Sequence, residues 1–162
     1  MPLDAVKSSY IPHGLNTQWS SVSSVFEEGL WSRSARKKLE ELSNLPQNWN
    51  SYGSRPVQQG AIETVANLLS DLAKISMPEP QIFPVSGGGI QLEWKNSQCE
   101  LEIEVLPDKS IEYLIVDKDG NMHEGQIPKY YNLVEIACLT NWFSSEKPSI
   151  NDLSNVYAPT FR

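Results

Sequence analysis

The sequence predicts an α+β domain, in which about three helices pack on one face of an antiparallel four- to five-stranded meander sheet. Hydrophobic residues recur at helical spacing in the first half of the chain and again near its C-terminal end. From residue 81 onward, by contrast, they alternate with polar residues. Short turn sequences separate the alternating segments, as is typical of consecutive hairpins. At 162 residues the chain suits one domain with a substantial core.

The domain organisation follows from where periodicity begins and ends. We predict a single α+β domain at 30–145, an irregular N-terminal arm at 1–29 and an irregular C-terminal tail at 146–162. The arm should dock on the domain to bury its aromatic residues, or else order on a partner. We expect a cytoplasmic protein with no membrane contact, because no signal-like apolar run and no span of about 20 apolar residues occurs.

Three segments have the pattern of amphipathic helices. The first is "LWSRSARKKLEELS", which should end before Pro46 because proline cannot continue a helix. The second is "QQGAIETVANLLSDLAKI", which should end near Ser76, ahead of "MPEP". The third should begin after Asn132, whose side chain and that of Glu135 match a capping box.

Strands are predicted in "GIQLEW", "CELEIEVL", "SIEYLIVD" and "MHEGQI". The pair Asp119-Gly120 is typical of a tight hairpin turn. Alternation places the aliphatic residues of these strands on one face and most of the glutamates on the other. The sheet should therefore have one apolar and one acidic face.

The acidic face is the strongest candidate site, and its glutamates are Glu93, Glu100, Glu102, Glu104 and Glu112. Crowded carboxylates can bind cations or a basic protein surface, whereas a solvated face interspersed with lysines is the simpler interpretation. Leu114 and Val116 point to the same side, so part of this face should be covered. The arm, the tail or a second copy in a homodimer are the candidates.

Composition argues against several other functions. The formal charge of −7 opposes binding to nucleic acid, because no basic surface is present to displace counterions. "SGGGI" lacks the Lys-Ser/Thr of a phosphate-binding loop, and "DKDGN" has its glycine at the wrong position for a calcium loop. His13 and His123 are the only histidines, and no metal-ligand or catalytic spacing includes them. We therefore predict no cofactor, no metal and no catalytic residue.

The stretch "LPQNWNSYGSRP" separates the first two predicted helices. Trp49 and Tyr52 are large enough to plug the junction between the helix ends and the sheet. Gly53 is the residue of the stretch that adopts a positive φ at low cost. Architecture accounts for most of this motif, and a binding role for Asn50 and Arg55 is the alternative.

This stretch, followed by a helix and then "PEPQIFPVSGGGIQLEW", resembles an uncharacterised family of small bacterial proteins. That family shows an L-P-x-N-W-D-x-Y-G-A-x-P motif, then P-x-P, a glycine turn and L-E-W. The resemblance covers roughly residues 39–115 and implies a bacterial cytoplasmic protein without an established activity. Asn50 replaces the usual acid, and an amide cannot act as a general acid or base near neutral pH.

We therefore predict a non-enzymatic protein-interaction or regulatory module, such as one member of a two-gene toxin–antitoxin or defence pair. Its expected partner is another protein, a basic one if the acidic face binds it. The alternative is a small ligand-binding domain or enzyme with a cleft around Trp49, Arg55, Glu93 and Trp94. The candidate binding residues are Trp49, Asn50, Tyr52, Arg55, Glu93, Trp94, Glu102 and Glu104.

Overall fold

The computed structural model describes residues 32–75, 77–128 and 133–145, together with Pro148 and Ile150. The arm at 1–29, Trp31, the predicted cap Asn132 and nearly all of the tail lie outside these residues. In the described part, the elements in chain order are α1 (Ser32–Ser43), α2 (Gln59–Lys74), β1 (Gln81–Pro84), β2 (Ile90–Lys95), β3 (Glu100–Val105), β4 (Ile111–Val116), β5 (Met122–Ile127) and α3 (Leu133–Phe143).

The strands form one antiparallel sheet of five in the order β1-β2-β3-β4-β5, and the predicted α+β meander is confirmed. One face of the sheet is apolar and lies in the core against the helices. Its fully buried members include Ile90, Leu92, Leu101, Ile103, Ile111 and Ile115. Each such side chain stabilises the fold by roughly 1.5–3 kcal/mol relative to an exposed one. This face therefore holds the sheet and the helices together.

The helices bury the stripes that their periodicity predicts. Ala35, Leu39 and Leu42 of α1 are buried, and this helix ends at Ser43, ahead of Pro46. Helix α2 ends at Lys74, close to the predicted end, and buries Ala61, Ile62, Val65, Ala66, Leu68, Leu69 and Leu72. Helix α3 buries Ile136, Leu139, Trp142 and Phe143.

Strand β1 was missing from the predicted strands. Its four residues, Gln81–Pro84, are too few to show a clear alternation, and the segment ends in proline. Only its pairing with β2, from Gln81 opposite Glu93 to Pro84 opposite Ile90, makes it a strand.

Three of the hairpins have turns of the same geometry. Each turn has five residues, and the three turns are 85–89, 106–110 and 117–121. The N–H of the first residue donates to the carbonyl of the fifth, and the N–H of the fourth residue donates to the carbonyl of the first. The fourth residue has a positive φ, of 95° in Gly88, 72° in Lys109 and 80° in Gly120. The predicted turn at Asp119-Gly120 is thus confirmed. This geometry determines which residues of the following strand bond to the preceding one.

Both cysteines, Cys99 and Cys138, are free thiols. Cys99 is buried, and this burial raises the pKa of its thiol, although a hydrogen bond to Asn96 opposes the shift. Cys138 is only half-buried.

Candidate functional site

The sheet face opposite the helices is the candidate site, and we call it the outer face. Strand register arranges its side chains in three rows that run across the sheet. These rows are Gln91–Glu104–Glu112–Gln126, Glu93–Glu102–Leu114–Glu124 and Lys95–Glu100–Val116–Met122. The rows contain many carboxylates but a single cation, Lys95, and its ammonium pairs with Glu100 at one end of the face.

Like charges lie directly opposite each other at two places on the outer face. Glu93 faces Glu102 across β2 and β3, and Glu104 faces Glu112 across β3 and β4. Directly opposed like charges destabilise an antiparallel pair. The amide of Gln91 relieves the first pair in part, because its Nε2 donates to Glu93 Oε1 at 2.9 Å and to Glu102 Oε2 at 3.1 Å.

Burial and these opposed charges together raise the pKa of the two central carboxyls, Glu102 and Glu104. Burial, and then the charges of Glu93, Glu100 and Glu104, raise the pKa of Glu102, while Lys95 partly opposes the shift. Burial and the charge of Glu112 raise the pKa of Glu104. Both shifts mean that the folded protein holds these carboxyl protons more tightly than the unfolded chain does. The ionised outer face is therefore a cost to the fold.

We expect the double variant Glu102→Gln/Glu104→Gln to be more stable than the wild type at pH 7, by about 0.2–1 kcal/mol for each opposed pair removed. Folding raises the pKa of each carboxyl, so protonation of that carboxyl stabilises the folded state. This contribution is complete below the pKa of the unfolded chain and is lost as the pH rises through the pKa of the folded protein. The advantage of the variant should therefore shrink at about pH 4, near ordinary glutamate pKa values. Urea unfolding at both pH values measures this difference.

Glu40→Gln/Glu41→Gln provides the matched control, because it removes two carboxylates from exposed positions of α1. It should leave the free energy of unfolding within about 0.5 kcal/mol of the wild type. If the outer-face variant shows no more stabilisation than this control at pH 7, the opposed glutamates are fully solvated.

A cavity of about 460 Å³ lies on the outer face over the middle of the sheet. It extends from Gln91 on β2 to Gln126 on β5, and carboxylates form much of its lining. The lining residues are Gln91, Glu102, Glu104, Glu112, Tyr113, Leu114, Glu124, Gly125 and Gln126. A long side chain with a cationic end would contact both apolar and carboxylate groups here.

The loop "LPQNWNSYGSRP" is held by its own asparagines. The Oδ1 of Asn48 accepts from the Gly53 N–H at 2.6 Å, and that of Asn50 accepts from the Tyr52 N–H at 3.0 Å. Asn50 Oδ1 also accepts from the Ser54 N–H at 3.3 Å. These bonds to the loop's own backbone account for Asn50 as a structural residue.

One prediction about this loop is wrong, whereas the positive φ of Gly53 is confirmed. Tyr52 is 91% exposed, so it does not plug the junction between the helices and the sheet. Gly53 has a φ of 85°, but Asn48 and Ser51 also have positive φ, of 63° and 64°. Three left-handed residues in one loop are tolerated because the asparagine bonds offset part of the strain. Trp49 is only half-buried, and its Nε1 donates to the Arg55 carbonyl at 3.0 Å.

The loop contacts the β1–β2 hairpin. The Ser54 and Ser86 hydroxyls lie 2.8 Å apart, and the Gln58 N–H donates to the Gly88 carbonyl at 2.8 Å. Gly88 allows this approach, since a Cβ there would lie 2.9 Å from the Pro56 carbonyl oxygen. The loop and "SGGG" therefore form one structural unit.

The structure does not gather the residues of the predicted cleft. Glu93 lies on the outer face, whereas Trp94 is buried on the opposite face and donates its Nε1 to the Pro78 carbonyl at 2.8 Å. Trp94 is also about 16 Å of strand away from the β1–β2 hairpin that contacts the loop. Glu93 and Trp94 therefore do not line the same cleft.

The outer face does bring together Glu93, Glu102 and Glu104 of the predicted binding residues. The other nine residues of its rows were not among them, namely Gln91, Lys95, Glu100, Glu112, Leu114, Val116, Met122, Glu124 and Gln126. Alternation in "MHEGQI" predicts that Glu124 and His123 point to opposite faces of the sheet. The strand register was needed to show that the face to which Glu124 points is the acidic outer face.

The comparisons with known proteins identify no relative: no protein-family model, no curated protein and no solved structure matches this chain. The resemblance carried by "LPQNWNSYGSRP" therefore stays a prediction. Among the described residues, no group of three or more His, Cys, Asp or Glu side chains is arranged to hold a metal ion. None of the helices in this part has the length and apolar character of a membrane span.

Proposed function

We propose that this protein is a non-enzymatic interaction module whose acidic outer face binds a protein with a cationic surface. The observation that carries the proposal is the pairing of Glu93 with Glu102 and of Glu104 with Glu112 on a face that holds one lysine. Such an arrangement costs stability in the free protein. A cationic partner would remove that cost on binding, which supports a role in recognition.

Apolar side chains support a protein partner over small cations. Leu114 and Val116 are half-buried among the glutamates, while Met122 is 65% exposed and Phe83 is 40% exposed. Phe83 lies opposite Gln91 and thus extends the outer face onto β1. Apolar groups next to carboxylates suit a protein surface that combines lysine or arginine with hydrophobic residues.

The biological setting that we propose is a bacterial two-gene unit of the toxin–antitoxin or defence kind. An acidic protein of 162 residues with an unneutralised face could mask a basic surface on the product of a coupled gene. Steering between opposite charges would also speed association at low salt.

The test is co-purification of the full chain with the products of the immediately adjacent genes, followed by calorimetry on the purified pair. We expect a complex that weakens as salt is raised. The variant Glu102→Gln/Glu104→Gln should bind at least about tenfold more weakly, which corresponds to 1.4 kcal/mol, although the free variant is more stable. Opposite effects on folding and on binding would separate recognition from simple unfolding.

The matched control is Glu40→Gln/Glu41→Gln, which makes the same charge change on the exposed side of α1. This control should keep wild-type affinity. Equal weakening by both variants would show that net charge, and not the outer face, governs binding. Failure of both neighbouring gene products to bind would rule out the two-gene setting.

A further inference from the structure

The geometry points to a specific mode of binding: the partner adds an extended strand to the free edge of β5 and lays its cationic side chains on the outer face. This inference rests on the proposed function and specifies how the acidic face is recognised. Within the described residues, β5 is the last strand of the sheet and pairs with β4 only. Its other edge is the surface that an added strand would occupy.

The β4–β5 turn determines which backbone groups of β5 face that edge. Asp117 donates its N–H to the Asn121 carbonyl at 3.0 Å, so these two residues are a hydrogen-bonded pair. Bonded and non-bonded pairs alternate along an antiparallel ladder. The bonded residues of β5 are therefore His123, Gly125 and Ile127. The N–H and carbonyl groups of the intervening residues Met122, Glu124 and Gln126 point away from β4.

The same three residues project their side chains onto the outer face. Their partners across β4 are Val116, Leu114 and Glu112, which all belong to the outer-face rows. A residue bonded opposite Glu124 on an added strand would also point to this face. Lysine or arginine is favoured at that position, and an apolar residue is favoured opposite Met122. Backbone bonds would supply affinity, and the alternate side chains would supply specificity.

Within the part of the chain that the structure describes, strand β5 has little of the usual protection of an edge strand. Its sequence, "MHEGQI", contains no proline and no lysine, and it is six residues long. The opposite edge differs, because β1 has four residues and ends in Pro84, which has no N–H to donate. Helix α1 also lies beside β1, where Ala35 and Ile82 line a common cavity. Among the described residues, the β5 edge is thus the more accessible of the two.

Charge favours a separate cationic partner over the other occupants. A second copy that paired β5 with β5 in antiparallel fashion would bring the two Glu124 side chains close together, which is unfavourable. The chain's own terminal segments do not complement the face either. Residues 1–31 contain three acids and one lysine, and residues 151–162 contain one aspartate and one arginine.

The test uses the full chain and a synthetic peptide, KTKTLTKTK, acetylated and amidated at its ends. An extended form of this peptide places lysine and leucine on one side and threonine on the other. The control is the same peptide with N-methyl groups at the lysine and leucine positions, which keeps its charge but blocks strand pairing. Calorimetry measures both affinities, and hydrogen exchange by NMR follows each amide of β5.

We expect the unmodified peptide to bind at least about tenfold more tightly than the methylated one. It should slow exchange at Met122, Glu124 and Gln126, the amides that face the edge. The variant Gln126→Pro should weaken its binding by a similar factor, because proline removes an edge-facing N–H without removing a β4–β5 bond. Alternate protection along β5 is a readout that unspecific charge attraction would not produce.

Three results would overturn the inference. Equal binding of both peptides, with no change in exchange along β5, would refute strand addition but leave the cationic partner in place. Absence of binding by either peptide would count against the proposed function itself. The edge amides of β5 could already be protected from exchange in the free protein. If sedimentation then shows a dimer, a second copy occupies the edge; if it shows a monomer, a terminal segment occupies it.

Discussion

Replacement of Gly88 by alanine is expected to lower the free energy of unfolding by about 2–4 kcal/mol. Two costs combine in this estimate. The φ of Gly88 is 95°, a conformation that residues with a Cβ rarely adopt, and the new Cβ would lie 2.9 Å from the Pro56 carbonyl oxygen. Because the Pro56 oxygen belongs to the backbone, the loop must move away from the hairpin. Urea unfolding monitored by circular dichroism measures the loss.

Gly120→Ala separates the two costs. Its φ is 80°, and nothing lies within 4 Å of a Cβ built there, so only the conformational cost of about 1–2 kcal/mol remains. The excess loss in Gly88→Ala then measures how tightly the loop packs on the β1–β2 hairpin. Equal losses for the two variants would show that the loop yields freely, which would contradict a single structural unit.

Truncation of Trp94 to alanine should destabilise the protein by about 3–5 kcal/mol. The side chain is 4% exposed, and its Nε1 donates to the Pro78 carbonyl at 2.8 Å. Trp94→Phe keeps part of the buried ring, and loss of the hydrogen bond should add about 1 kcal/mol to the cost of the smaller side chain. Urea unfolding of the two variants measures both losses, and the difference between them reports the packing of the ring that phenylalanine retains.

Tyr52→Ala is the control for an aromatic residue outside the core. With 91% of its surface exposed, Tyr52 should contribute less than about 0.5 kcal/mol to stability. A loss comparable to that of Trp94→Ala would mean that Tyr52 is buried in solution, as the sequence first suggested.

Periodicity alone determined most of the fold of this protein. The helical stripes of α1 and α2 and the alternation in β2, β3 and β4 identify the core, because each pattern depends only on residues close in sequence. "QIFP" was missed for the same reason, since four residues that end in proline carry too little pattern. Gly120 was recognisable as a turn residue because its requirement for a positive φ is local.

The candidate site depended on contacts that local pattern does not contain. The sequence determined that Glu93, Glu102 and Glu104 alternate with apolar residues, but register decided that Glu93 faces Glu102 and that Glu104 faces Glu112. The exposure of Tyr52 was likewise not evident from the pattern; the Asn48 and Asn50 side chains hold the loop backbone at Gly53 and Tyr52, and the Tyr52 side chain is 91% exposed. Tertiary structure also decided that β5 is the last strand of the sheet in the described residues, because strand order depends on pairing between segments and not on the residues of any one segment.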